Sequence, residues 1–282
     1  MKRILVPTDF SPTAERAFRM ALDIASKNKG TVHLYHIYAP VKSNFVYSDS
    51  EKEIRRYNSP TETNILKRLQ RLKKKVMSGQ AGVSVITSVG HSPVINNILS
   101  FAKDNHIDLI VMGTQGASGL NRVVVGSVAA HVIGKSEIPV LLVPEKFEWK
   151  DPEQILFATN YHETDKKALT LILALAKLYS SSVSVLHLLE THSGQTAREQ
   201  NTFDGYTQTL QREFNEPKLQ FHFLNTTSAT ETMENLDEKF RYDMLVMVRR
   251  KRGFIESFFI ESFTQNMAYV TTAPLLVIPA EV

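Results

Sequence analysis

The sequence predicts an α/β protein built from two tandem parallel-sheet units, and three observations lead there. The chain repeats itself: Ile4-Leu-Val-Pro-Thr8-Asp9-Phe10 returns as Ile155-Leu-Phe-Ala-Thr159-Asn160-Tyr161, and Val32-His-Leu-Tyr-His36 returns as Val183-Ser-Val-Leu-His187, both at an offset of 151. Later in each half, Asp108-Leu-Ile-Val-Met112 pairs with Asp243-Met-Leu-Val-Met247, and Pro139-Val-Leu-Leu-Val-Pro144 with Pro274-Leu-Leu-Val-Ile-Pro279, at an offset of 135, so the second half is a shortened copy. Within each half, short β-branched runs alternate with longer helical patterns, as in βαβ units. Finally, 282 residues with 43% hydrophobic side chains suit two medium domains with sizeable cores.

The elements follow in order. Strands are expected near 2–7, 31–37, 83–89, 108–113 and 139–143, with helices near 12–28, 60–78, 92–105 and 126–135. The second of these helices carries leucines at 66, 69 and 72 between the charges of Lys67 to Lys75, which reads as a solvated amphipathic face rather than a nucleic-acid stripe. Before the third helix, Gly90-His91-Ser92-Pro93 reads as a helix start, with Ser92 capping and Pro93 at the first helical position, or as part of a crevice wall. In the second half, strands are expected near 154–159, 183–189, 218–224, 243–248 and 274–278. The helix near 163–180 is apolar almost throughout from Leu169 to Leu178, which predicts that it is sandwiched rather than solvent-facing. The segment Lys146-Phe-Glu-Trp-Lys-Asp-Pro152 is the expected junction between units at 1–147 and 152–282.

Composition narrows the chemistry. The chain has no cysteine, which removes disulfides, thiol nucleophiles and thiolate metal sites. A net charge of +4 demands no polyanionic partner. The opening Met1-Lys-Arg-Ile-Leu-Val-Pro7 is too soon interrupted for a secretory signal, and no apolar run approaches the roughly 20 residues that span a bilayer. A cytoplasmic protein bound to neither membrane nor nucleic acid is expected. His36 and His187 fall at equivalent repeat positions, which favours shared packing, and no histidine–carboxylate spacing suits a protein-only metal site.

The most informative stretch is Gly113-Thr-Gln-Gly116, nine residues, then Gly126-Ser127, directly after the apolar run Leu109 to Met112. Glycines leaving a strand let main-chain amides approach an anion, and a serine opening the next helix adds a hydroxyl beside a partly positive N-terminus. No Gly-Lys-Ser/Thr follows, and the glycines are not packed into six residues, so neither common nucleotide fingerprint applies. The alternative is a run of turn glycines ending in a helix cap. In an open parallel sheet, ligands lie beyond the carboxyl ends of the strands where chain order reverses, which would gather Asp9, Ile37 with Tyr38, and the glycine loop.

This spacing, extended through Gly113-Thr-Gln-Gly116-Ala-Ser-Gly119-Leu-Asn-Arg122 and Gly126-Ser127-Val128-Ala129, resembles the ATP-binding signature of the universal stress protein family. The resemblance covers the chain as a tandem pair. It implies two five-stranded doubly wound domains of strand order 3-2-1-4-5, joined through their fifth strands as an internal pseudo-dimer, with possible protein partners or a homo-oligomer beyond it. It implies ATP as ligand, any Mg²⁺ arriving with the nucleotide, and contacts from Asp9, Ile37, Met112, Gly113, Gly116, Arg122, Gly126, Ser127 and Val128. Bland readings stand beside these: Asp9 as an N-cap or turn aspartate, Ile37 as a strand-end core residue, Gly119 as a turn former and Arg122 as an exposed loop arginine.

In the second half, Val248, Lys251 and Glu261 stand where Gly113, Gly116 and Gly126 do, Ser262 matches Ser127, and Asn160 replaces Asp9. A carboxylate about 4 Å from a phosphate costs roughly 4 kcal/mol at an effective dielectric of 20, so ATP is not expected there, although the basic run 249–252 leaves a different anion open. The expected function is an ATP-binding regulatory or stress-response protein, at most a slow hydrolase, because no catalytic constellation accompanies the cradle. Two alternatives remain: an adenylate-forming or nucleotide-hydrolysing enzyme of related fold, for which His91 is the candidate base, and a nucleotide-free interaction or chaperone-like protein.

Overall fold

A computed structural model describes residues 1–40, 51–77, 82–114, 126–160, 164–190, 196–228, 232, 236–250 and 272–280. The first half contains β1 (Arg3–Pro7), α1 (Pro12–Asn28), β2 (Thr31–Tyr38), α2 (Glu51–Val76), β3 (Ser84–His91), α3 (Val94–Asp104), β4 (Leu109–Gly113), α4 (Ser127–Lys135) and β5 (Val140–Val143). The second contains β6 (Gln154–Ala158), α5 (Thr164–Tyr179), β7 (Ser182–Glu190), α6 (Thr196–Phe214), β8 (Leu219–Thr226), α7 (Leu236–Lys239), β9 (Met244–Arg249) and β10 (Leu275–Pro279).

Among the described residues, all ten strands form one sheet of order β3-β2-β1-β4-β5-β10-β9-β6-β7-β8. Each half is a parallel 3-2-1-4-5 unit, and the halves meet where β10 runs antiparallel to β5, pairing Leu275, Leu276 and Val277 with Leu142, Leu141 and Val140. Every residue of β5 and β10 is buried, as expected of strands covered on both faces by helices. Alternate side chains feed two cores that each run through both halves. One gathers Ile4, Val6, Phe18, Leu69, Phe157, Leu169 and Leu276, under α1, α2, α5 and α6. The other gathers Leu5, Ile98, Ile110, Val132, Leu156, Leu245 and Leu275, under α3 and α4.

The repeat is carried by equivalent hydrogen bonds. The Asp108 carboxylate accepts from the amides of Lys2 and Arg3, and the Asp243 carboxylate from those of Glu153 and Gln154, fixing the starts of β1 and β6. His36 Nδ1 lies 2.7 Å from the Thr8 carbonyl and His187 Nδ1 2.8 Å from that of Thr159, so both histidines tie the end of a central strand to its neighbour. Away from the sheet, Tyr179 of α5 donates to Asp23 of α1, Lys27 pairs with Asp151, and Trp149 of the junction packs edge-on against Tyr179.

Some elements differ from expectation. Helix α2 begins at Glu51, nine residues before Pro60, which lies inside the helix rather than at its start. Helix α5 is not enclosed: Leu169, Ile172 and Leu175 are buried, whereas Thr170, Ala174 and Lys177 form an exposed line, so it covers the sheet with one face. Helix α6 has no counterpart among the expected helices; its polar composition masks the signal, but Phe203, Tyr206, Leu210 and Phe214 recur at helical spacing, with Phe203 packed on His187 and Phe223 and the others on the core. Pro93, not Ser92, occupies the N-cap of α3, which has no side-chain cap bond.

Because the β5–β10 seam joins the halves, Leu276→Ala should remove about 2–5 kcal/mol of stability and lower a single unfolding transition shared by both halves. Urea denaturation followed separately by tryptophan fluorescence and circular dichroism checks this; two resolved transitions with only one of them shifted would count against a shared core.

Candidate functional site

The order 3-2-1-4-5 reverses between β1 and β4, and a cavity of about 410 Å³ opens beyond the carboxyl ends of those strands. Seven of the nine residues expected at the site line it: Asp9, Ile37, Met112, Gly113, Gly126, Ser127 and Val128. Gly116 and Arg122, with Gly119, lie outside the described residues.

Three strand ends and one helix start build the cavity. After β1 the chain turns sharply: Thr8 Oγ1 accepts from the Phe10 amide at 3.1 Å, Asp9 Oδ1 accepts from the Ser11 amide at 2.9 Å, and Phe10 has φ 66°. Ser11 is the true N-cap of α1, its hydroxyl accepting from the Ala14 amide, with Pro12 next. Asp9 is therefore a turn aspartate, not the cap, and its exposed carboxylate stands at the cavity wall. Ile37 of β2 sits partly buried at the edge of the core and lines the cavity as well.

Gly113 ends β4 where α1 comes close. A Cβ there would lie 2.6 Å from Thr13 Cγ2 and 3.1 Å from the Thr13 carbonyl carbon, so packing alone demands a glycine. The chain then places Thr114, whose amide donates to the Val143 carbonyl and whose carbonyl accepts from the Gly126 amide. Thr114 lines the cavity, and its buried hydroxyl has no hydrogen-bond partner among the described residues. Sequence reasoning passed over Thr114, although it stands next to Gly113 in the motif.

Helix α4 starts at this point. Its N-cap is Gly126, at φ −56° and ψ 144°, with no side-chain cap bond, and Ser127, its first residue, is exposed. The leading amides of a helix have no acceptor within it and carry its positive end. The opposite wall is apolar, formed by Val94 and Ile98 of α3 with Met112 and Ile37. The described lining residues include no lysine or arginine; their polar groups are main-chain amides, hydroxyls, His36 and the Asp9 carboxylate.

His91 belongs elsewhere. Its Nε2 lies 2.9 Å from Glu62 Oε1 and 3.1 Å from the Tyr38 hydroxyl, and it is not among the cavity-lining residues. Gly90, beside it, leaves room for Tyr35, whose hydroxyl would stand 1.9 Å from a Cβ at that position.

At the equivalent place in the second half, two charged side chains meet. Asp165, at the repeat position of Ala14, is fully buried; it accepts from the Thr159 hydroxyl and pairs at 2.5 Å with Arg250, itself only 9% exposed. Burial, with Asp165 near, pushes the Tyr206 phenol up to about 12, and burial pushes the neighbouring His187 imidazole below its ordinary range. Arg249, at the position of Thr114, reaches instead to the carbonyls of Gly134 and Ser136. The first two cations of the run 249–252 are thus committed within the protein, which speaks against the different anion left open there; Lys251, Glu261 and Ser262 lie outside the described residues.

The sequence profile of the universal stress protein family matches residues 1–144 and again 152–279. The chain belongs to the universal stress protein family. Each match is one half of the tandem. Universal stress protein MJ0531 of Methanocaldococcus jannaschii is 35% identical over 142 residues, which are 50% of this chain and 81% of that relative. Universal stress protein MJ0577 of the same organism is 29% identical over 157 residues, 51% of this chain and 96% of that relative. A universal stress protein from Archaeoglobus fulgidus DSM 4304 shares the fold of the whole chain, with a TM-score of 0.75 at 16% identity, covering 99% of this chain and 98% of that one.

The packing role of Gly113 is separable from ligand binding. Gly113→Ala should cost about 1–3 kcal/mol through its clash with Thr13, and Thr13→Ala in the same chain should recover part of that loss. Thermal unfolding of the two single variants and the double variant reads this out, and strict additivity would show that the two residues do not compete for space.

Proposed function

We propose that the first half binds ATP and that this universal stress protein acts as a nucleotide-dependent regulatory or stress-response protein, with turnover no more than slow. The reading is supported by one observation: a single cavity is lined by the start of α4, by Thr114 and by the apolar Ile37, Val94, Ile98 and Met112. Its volume of about 410 Å³ falls within the range of small-molecule sites. The phosphates belong at Gly126, Ser127, Val128 and Thr114, where amides and hydroxyls attract negative charge without a buried counter-charge. The adenine belongs between Ile37, Met112 and the α3 residues, and Asp9 at the rim offers an acceptor to the ribose hydroxyls. Gly116 and Arg122 complete the proposed ligand set.

We assign no separate metal site and propose that any metal comes with the nucleotide; among the described residues no group of three histidine, aspartate or glutamate side chains is suited to a metal. The adenylate-forming alternative loses its candidate base, because His91 is paired with Glu62 away from the cavity. Among the described residues no helix is long and apolar enough to cross a membrane. Proposed partners are the adenine nucleotide and other proteins, a second copy of the chain included, rather than a nucleic acid.

Titration calorimetry of the full chain with ATP should give one site per chain. Gly126→Val tests space rather than backbone strain, because its φ and ψ are open to any residue. It should weaken ATP binding by at least about tenfold, or 1.4 kcal/mol, while the thermal midpoint stays put. Two equivalent sites, or an unchanged affinity in the folded variant, would overturn the proposal.

A further inference from the structure

Helix α4 has its two ends at two different places. Its N-terminus lines the cavity of the first half, while its C-terminus meets the second half. There Arg249, at the end of β9, is 4% exposed and donates from Nη1 to the Gly134 carbonyl at 3.0 Å and from Nη2 to the Ser136 carbonyl at 2.5 Å. Those carbonyls belong to the last turn and the C-cap of α4, where a helix has acceptors without internal donors and carries its negative end. A guanidinium fork answers two such acceptors at once, which a lysine ammonium on a flexible stem does not reproduce.

Arg249 is also rigidly based. It closes the β9–β10 ladder opposite Pro279, and its carbonyl accepts from the Ala280 amide. Strand β10 in turn pairs with β5, which leads from the end of α4. The helix has nine residues, about 14 Å at 1.5 Å per residue, so a shift at one end is carried to the other without a flexible joint between them.

Resting on the ATP reading above, we propose that Arg249 is a positioning residue: the second half grips α4 by its C-terminal carbonyls and so sets the amides of Ser127, Val128 and Ala129 against the phosphates bound by the first half. The second unit, in which Asp165 and Arg250 are paired with each other, thereby becomes part of the first unit's site. By linkage, the grip and the phosphates strengthen one another.

The test compares ATP with adenosine, which has the base and sugar but nothing to meet the α4 amides. In Arg249→Met, calorimetry should show ATP affinity falling about tenfold and adenosine affinity holding within about twofold, with Arg249→Lys between the two proteins. A general loosening of the fold would weaken both ligands alike, leave the ATP-to-adenosine ratio unchanged and overturn the inference. Should Arg249→Met fail to fold, Arg249→Lys decides alone: a lowered ratio supports the grip and an unchanged ratio overturns it. Failure of the unmodified chain to bind ATP would overturn the nucleotide reading and this inference with it, whereas normal ATP binding with an unchanged ratio overturns this inference only.

Discussion

Strand β10 lies against β5 in antiparallel register, and the rest of the molecule is arranged around that contact. Both strands are buried along their whole length, so their backbone groups have no water to turn to and must pair with each other. The pairing turns two parallel five-stranded units into one ten-stranded sheet. It also sends the carboxyl ends of the two units in opposite directions, because the strand direction reverses at the seam. The positions of the two crevices, one a cavity and the other holding the Asp165–Arg250 pair, then lie at opposite ends of the sheet, and α4 lies between the cavity of the first half and the Arg249 that ends β9 of the second.

The two crevices deal with their polar groups differently. In the first half, among the described residues, the N-cap Gly126 makes no side-chain cap bond and the Thr114 hydroxyl has no partner, beside the apolar Ile37, Val94 and Ile98. In the second half, a carboxylate has entered at the position of Ala14, and a guanidinium meets it. A charge as deeply buried as Asp165 requires such a partner, and removing one member of a buried pair typically costs about 3–5 kcal/mol. The second unit has in effect internalised both charges, and an incoming phosphate would have to displace a pair that is already satisfied.

Much of this was legible in the sequence, for reasons that can be named. The strands were found because central parallel strands must be apolar on both faces, which makes Ile4 to Val6 and Leu109 to Met112 stand out. The tandem architecture showed itself through Asp108 and Asp243, and His36 and His187, residues that repeat because each makes the same backbone bond in its own half. The cavity wall was legible because glycines at a strand end are costly unless something comes close, and at Gly113 what comes close is Thr13. The rest was hidden by long-range pairing. Nothing local in Thr164-Asp165 or in Arg249-Arg250 says that Asp165 meets Arg250 or that Arg249 crosses to the other half; both contacts exist only once the sheet is assembled. Helix α6 is hard to read because its apolar residues are sparse, and the early start of α2 is hidden because a proline such as Pro60 is found more often at a helix start than inside one.

Hydrogen exchange of the full chain with and without saturating ATP would locate the occupied crevice most directly. A nucleotide held by the start of α4 predicts slowed exchange at Thr114 and at Ser127 to Ala129, with the segments around Thr159 and Arg250 unaffected. Protection appearing around Thr159 and Arg250, with none at the start of α4, would contradict a site confined to the first half.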